Sequence, residues 1–135
     1  MAKMPRNASP ARGDLTLAQW EVLALVWERG EVTVADAHEA LAARRRVAPT
    51  TVLTHLVRLE KRGLLVHRTE GRAHVWRAAR DKGPLVGSLL ARLRDLLFRG
   101  STDGLVATLL DAAPVSDAEL TRLRALVRRT KGGAP

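Results

Sequence analysis

From Thr16 onward, apolar and polar positions alternate with a helical period. Leu17, Trp20, Leu23, Val26 and Trp27 recur at spacings of three and four; Thr16 supplies an N-cap hydroxyl and Gly30 stops the run. Thr33 opens a second predicted helix, "VADAHEALAARRR", with Val34, Ala37 and Leu41 on one side. Asp36 follows its cap by three residues, where a carboxylate favours the positive end of the helix dipole, although a capping box proper takes Glu or Gln there. A third helix begins at Pro49, whose missing N–H is one that a helix leaves free anyway. Val52, Leu56 and Leu59 line one side of it, with Leu53 beside them. Thr51, Thr54, His55, Arg58, Lys61 and Arg62 fall on the other side. Glu60 lands nearer the apolar side than this pattern favours, and Gly63 ends the helix.

The period then changes. "LLVHR" and "AHVWRA" are short, partly alternating runs separated by "TEGR", which predicts a β-hairpin with a basic tip. From about Gly83 the helical period returns. Leu85, Leu89, Leu93, Leu96 and Leu97 mark a long helix that Gly100 and Ser101 break; Leu105, Leu109 and Leu110 mark a shorter one that ends before Pro114. Ser116 and Glu119 suggest a capping box for the last, with Leu120, Leu123, Leu126 and Val127 behind it, and the tail "KGGAP" is expected to fray. The expected fold class is therefore mainly α with a small β-hairpin: a winged helix-turn-helix domain over residues 14–80 and a C-terminal helical region over residues 81–131. Residues 1–13 carry charge but no apolar core, so they read as a disordered arm and not as a secretion signal or a membrane span.

Charge sharpens this picture because it is local. Of the formal +9, residues 44–80 contribute most, with ten Lys+Arg against two acids. A concentrated basic surface is the electrostatic footprint of a polyanion binder, whereas a merely solvated surface mixes both signs, as residues 1–43 do. An α-helix fits the major groove of B-DNA, where base edges present donors, acceptors and methyl groups. Thr50, Thr51, Thr54, His55, Arg58, Lys61 and Arg62 are thus candidate DNA contacts. Arg68 and Arg72 at the wing are candidate phosphate or minor-groove contacts, and Arg46 in the turn before the third helix is a candidate contact to the backbone. Charged edge-strand protection also accounts for the wing arginines.

Three short amphipathic helices cannot bury all their apolar faces alone. Leu85, Leu89, Leu93, Leu96, Leu97, Leu105, Leu109, Leu120, Leu123 and Leu126 are therefore expected to form a homodimer interface, with packing onto the first domain as the competing arrangement. A dimer would also let two recognition helices read two half-sites. There is no cysteine, which excludes disulfides and thiolate metal clusters and suits a cytoplasmic location. His38, His55, His67 and His74 show no metal-type pairing on one helix. His67 and His74 can face each other across the hairpin, but two imidazoles alone make a poor site. No catalytic constellation, metal or cofactor is expected. A winged-helix module that offers its basic face to an acidic protein is the alternative to a DNA-binding repressor.

The stretches "LTLAQWEVLALVWERGEVTVADAHEAL", "PTTVLTHLVRLEKRGLL" and "EGRAHVW" together resemble the penicillinase-repressor family, of the BlaI/MecI/CopY type. The motifs that carry this are Trp20-Glu21-Val22, Trp27, Gly30, Thr33-Val34, Thr51-Val52, Thr54, Leu56, Arg58-Leu59, Lys61, Gly63 and Gly71-Arg72, in order across residues 15–78. The resemblance implies a homodimeric winged-helix repressor that binds double-stranded DNA at a pseudo-palindromic operator. It also implies control of resistance or membrane-protease genes, a membrane-bound metalloprotease sensor as partner, and no membrane insertion. Departures are visible. Val47 and Ala48 stand where the family often has Trp and Ser, Thr50 replaces a common basic residue, the copper-sensing cysteines are absent, and Phe98-Arg99-Gly100 lies near where an Asn-Phe cleavage pair is known.

Overall fold

A computed structural model of the chain describes residues 15–133; the expected N-terminal arm, residues 1–13, lies outside the described residues. The elements run α1 (Leu17–Arg29), β1 (Glu31–Val32), α2 (Val34–Ala42), α3 (Pro49–Lys61), β2 (Leu65–Glu70), β3 (Ala73–Ala78), α4 (Lys82–Phe98), α5 (Thr102–Ala112) and α6 (Asp117–Gly133). This is the winged-helix order followed by three helices.

The ends of the first helices are set by local chemistry. Thr16 accepts the Gln19 amide while the Gln19 side chain accepts the Thr16 amide, a reciprocal pair that fixes the start of α1. Thr33 and Asp36 make the same exchange at α2, so aspartate completes a box that the sequence pattern left at half strength. Gly30 and Gly63 adopt φ of 85° and 78°, the left-handed stops that the sequence reading places there. The α2 helix ends at Ala42, before the arginine run, so Arg44, Arg45 and Arg46 belong to the turn.

The strands differ from expectation in one respect. The hairpin is present, with His67 opposite Trp76 and Glu70 opposite Ala73, but a third strand, β1, pairs antiparallel along the other edge of β3. Two residues are too few to show a period of two, which is why Glu31–Val32 was not legible.

The core of the winged helix gathers Val22, Leu23 and Val26 of α1, Leu41 of α2, Val52, Leu56 and Leu59 of α3, Leu64 and Leu65, and Trp76 of β3. Val52, Leu56 and Leu59 are fully buried, each contributing about 1.5–3 kcal/mol, and this buried side decides which side of α3 faces outward. The Trp27 indole N–H donates to the Arg80 carbonyl at 2.9 Å, tying the end of α1 to the chain leaving the wing. Leu17, read as part of the apolar side of α1, is instead 87% exposed.

By its internal contacts the chain divides into two compact units, Met1–Arg92 and Leu93–Pro135. Helix α4 as far as Arg92 belongs to the winged-helix unit, and Leu85 of its first turn is buried in that unit's core. In the second unit, the Ser101 hydroxyl caps α5 by accepting the Gly104 amide, and the Ser116 hydroxyl accepts the Glu119 amide at the start of α6. Among the described residues no buried apolar side chain lies beyond Leu85. No helix among them is long and apolar enough to cross a membrane.

Candidate nucleic-acid interface

The third helix is aimed by what flanks it. His38 of α2 bonds the Val47 carbonyl through Nε2 at 2.9 Å; since a carbonyl can only accept, the ring is the Nε2–H tautomer. This holds the turn that leads into Pro49. The N-cap of α3 is Ala48, which has no side-chain cap bond, so the absent family serine leaves a first-turn amide open to an outside acceptor such as a phosphate.

Along α3, Thr50, Thr51, Leu53, Thr54, Arg58 and Lys61 are exposed, while His55, Val57, Glu60 and Arg62 are half-buried. Thr50, Thr54, Arg58 and Lys61 lie opposite the buried side. Among the described residues Arg58 and Lys61 carry no ion pair with an acid. Thr51 and His55 sit further round: they line a cavity of about 200 Å³ with Glu21, Val22, Leu41 and Arg45, on the side that packs against α1 and α2. Burial first, then the Arg58 and Arg45 charges, holds the His55 imidazole below its usual range. His55 therefore lies beside α1 and α2 and not on the outer side of α3.

The arginine run divides in two. Arg44, at 3.6 Å, and Arg45 both pair with Glu21 of α1, which pins the turn to the first helix. Arg46 is exposed and makes no ion pair among the described residues.

At the wing, Arg68, a candidate backbone contact by position, is paired with two acids. Its guanidinium bonds Glu31 of β1 at 2.5 and 3.2 Å, and Glu70 at 2.8 Å. That bond lowers the Glu31 carboxyl below its usual range. Arg68 thus clamps the edge strand and the wing together, whereas Arg72, in the tight turn after Gly71 (φ 63°), is exposed and has no ion pair among the described residues. These placements predict different salt behaviour. Arg72→Ala is expected to reduce the salt slope of DNA binding by about 1 per protomer, and Arg68→Ala to leave it unchanged. Equal reductions in a filter-binding titration would show that Arg68 leaves its carboxylates for a phosphate.

Glu60, out of place on the helical pattern, has a partner: its carboxylate meets His67 Nδ1 at 2.8 Å. His67 also stacks at 4.7 Å on Trp76 and meets His74 edge-on at 4.6 Å. His38, His67 and His74 are thus occupied locally, and among the described residues no group of three or more His, Cys, Asp or Glu could hold a metal. Both acids of the 44–80 segment, Glu60 and Glu70, are engaged by neighbours, so neither stands unpaired beside the outer side of α3.

A helix with an open cationic outer side, set beside a basic wing on a three-helix core, is a winged-helix DNA-binding fold. A family model described as penicillinase repressor matches residues 15–129, and the chain belongs to that family, which consists of transcriptional repressors and not enzymes. It is 35% identical to the transcriptional regulator BlaI of Mycobacterium tuberculosis over 134 residues, 98% of this chain and 91% of that protein. It is 24% identical to the penicillinase repressor of Bacillus licheniformis over 114 residues, 84% of this chain and 89% of that one. Among solved structures, YusO of Bacillus subtilis shares the fold, with a TM-score of 0.55 at 18% identity over 95% of this chain and 82% of that one.

The leucines expected at a dimer interface are spread over three environments. Leu85 is in the winged-helix core; Leu89, Leu93, Leu105, Leu120 and Leu123 are half-buried; Leu96, Leu97, Leu109 and Leu126 are exposed. Leu90, Val106, Leu110 and Val127 are exposed as well.

Proposed function

We propose that the chain represses transcription as a homodimer on a pseudo-palindromic operator, each protomer laying α3 in a major groove and its wing along the adjoining backbone. The observation that supports this most is the outer side of α3, where Thr50, Thr54, Arg58 and Lys61 stand exposed with no unpaired acid of their segment beside them. Threonine offers a hydroxyl and a methyl, and arginine can fork onto guanine. Arg46 and Arg72, with the open Thr50 amide at the start of α3, set the register on the phosphates. Leu96, Leu97, Leu109 and Leu126 join the two copies; Leu85, already in the core, does not. Family membership supports resistance or membrane-protease genes as the targets and a membrane-bound metalloprotease sensor as the signalling partner.

The test is a footprint on the DNA upstream of the chain's own gene. Two protected half-sites about one helical turn apart are expected. Protection nowhere on genomic fragments would instead assign the basic face to an acidic protein. Arg58→Ala is expected to weaken specific binding by about 1–3 kcal/mol and to relax preference at one base pair. Equal loss on every sequence would make Arg58 a phosphate contact.

A further inference from the structure

Leu53 is an anomaly on α3. It is 39% exposed, and among the described residues of the winged-helix unit the other large apolar side chains so exposed are Leu17 on α1 and Leu90 on α4. Seven residues separate it from Glu60, two helical turns, so the two share a side of α3. Glu60 bonds His67 of β2, which places Leu53 on the side of the helix toward the wing. Beside it, the Thr54 hydroxyl donates to the Thr50 carbonyl at 2.9 Å. With its hydrogen committed to the helix backbone, Thr54 can no longer donate to a ligand and offers it a methyl and an accepting oxygen.

Two neighbouring apolar groups therefore stand exposed on a helix whose other outward side chains include Arg58 and Lys61. An apolar protein partner would have to bury those unpaired cations alongside Leu53, which is unfavourable. Duplex DNA answers both at once. Its phosphates meet the cations, and its major groove carries a single apolar group, the C5-methyl of thymine. We propose that Leu53, with the methyl of Thr54, reads a thymine methyl in each operator half-site and so sets sequence preference at a position that the cationic residues do not read. This assignment rests on the DNA-binding reading above and deepens it.

The experiment uses the full chain and a duplex enriched by it from a random library. Each thymine of that duplex is replaced singly by deoxyuridine, which removes only the C5-methyl. The wild-type chain is expected to lose affinity roughly 3–5-fold at one thymine per half-site and to tolerate the change elsewhere. Leu53→Ala should bind the thymine duplex as weakly as wild type binds the uracil duplex, and show no further loss on uracil. Leu53→Met, which preserves volume, should restore the step. Because Leu53 is exposed, both variants should keep the wild-type melting temperature.

Uniform tolerance of uracil, or an undiminished uracil step in Leu53→Ala, would overturn the assignment while salt-sensitive binding left the DNA-binding reading standing. A change in association state caused by Leu53→Ala would overturn it too, assigning this side to a second copy. Failure to enrich any sequence, with binding indifferent to salt, would sink both.

Discussion

Raising the salt from 50 to 200 mM should weaken binding to a specific duplex by ~10³–10⁵-fold, if a dimer contacts about 6–10 phosphates. The structure narrows which cations can supply that number. Of the ten basic residues in segment 44–80, Arg44 and Arg45 are held by Glu21, and Arg68 by Glu31 and Glu70. Arg46, Arg58, Lys61 and Arg72 are exposed on the turn, the outer side of α3 and the wing tip without an acid partner among the described residues; Arg77 and Arg80 are exposed too, at the end of β3 away from the tip, and the Thr50 amide adds a neutral donor. With Arg58 on a base, Arg46, Lys61 and Arg72 of each protomer, doubled by a twofold, give about six phosphate contacts. The slope of log K against log salt should then be about −5, since each phosphate neutralised releases about 0.9 counterion. A slope shallower than about −3 would mean that most of these side chains never approach a phosphate, and the docking geometry would have to be abandoned. Because this term carries no sequence information, a scrambled duplex should show a comparable slope at lower affinity.

How far this surface could be seen beforehand depended on how local its causes were. Helix ends were legible because each is set within four residues: Thr16 and Thr33 start helices with their own hydroxyls, and Gly30 and Gly63 stop them with φ that other residues resist. The buried side of α3 was legible as well, since Val52, Leu56 and Leu59 repeat the helical period. What escaped depended on partners distant in the chain. Arg68 looked free because Glu31, which holds it, lies 37 residues earlier on a strand too short to leave a pattern. Glu60 looked misplaced until β2 brought His67 to it. Leu17 fits the α1 period, yet no described element covers it, so period alone assigned it wrongly. Leu53, placed beside the apolar side of α3 by the same period, is 39% exposed. Periodicity reports which residues share a side, and only the packed neighbours decide where burial ends.

The second large effect concerns the C-terminal helices. Leu97→Glu is expected to convert a dimer to a monomer and to lower operator affinity by ~10²–10⁴-fold, the advantage that two linked half-site contacts hold over one. The argument starts from what these helices lack. Among the described residues α5 contains no buried side chain, and Leu96, Leu97, Leu109 and Val127 are 72%, 65%, 58% and 68% exposed in the single chain. Helices of 11 and 17 residues are marginal in water without an apolar surface to pack on, and a unit this small has little core of its own. In the proposed homodimer a second copy would supply that surface and meet the same leucines in return, because a twofold interface is self-complementary. Glutamate at Leu97 is harmless to the single chain, where the position faces solvent, but at the interface it must be desolvated against its symmetry mate. Sedimentation equilibrium should therefore show a monomer whose winged helix melts as before, together with weak, salt-sensitive binding to single half-sites. A variant that stays dimeric and binds the operator like wild type would remove the exposed leucines from the interface. A wild-type chain that is monomeric at micromolar concentration would remove the interface itself, leaving one recognition helix per binding event.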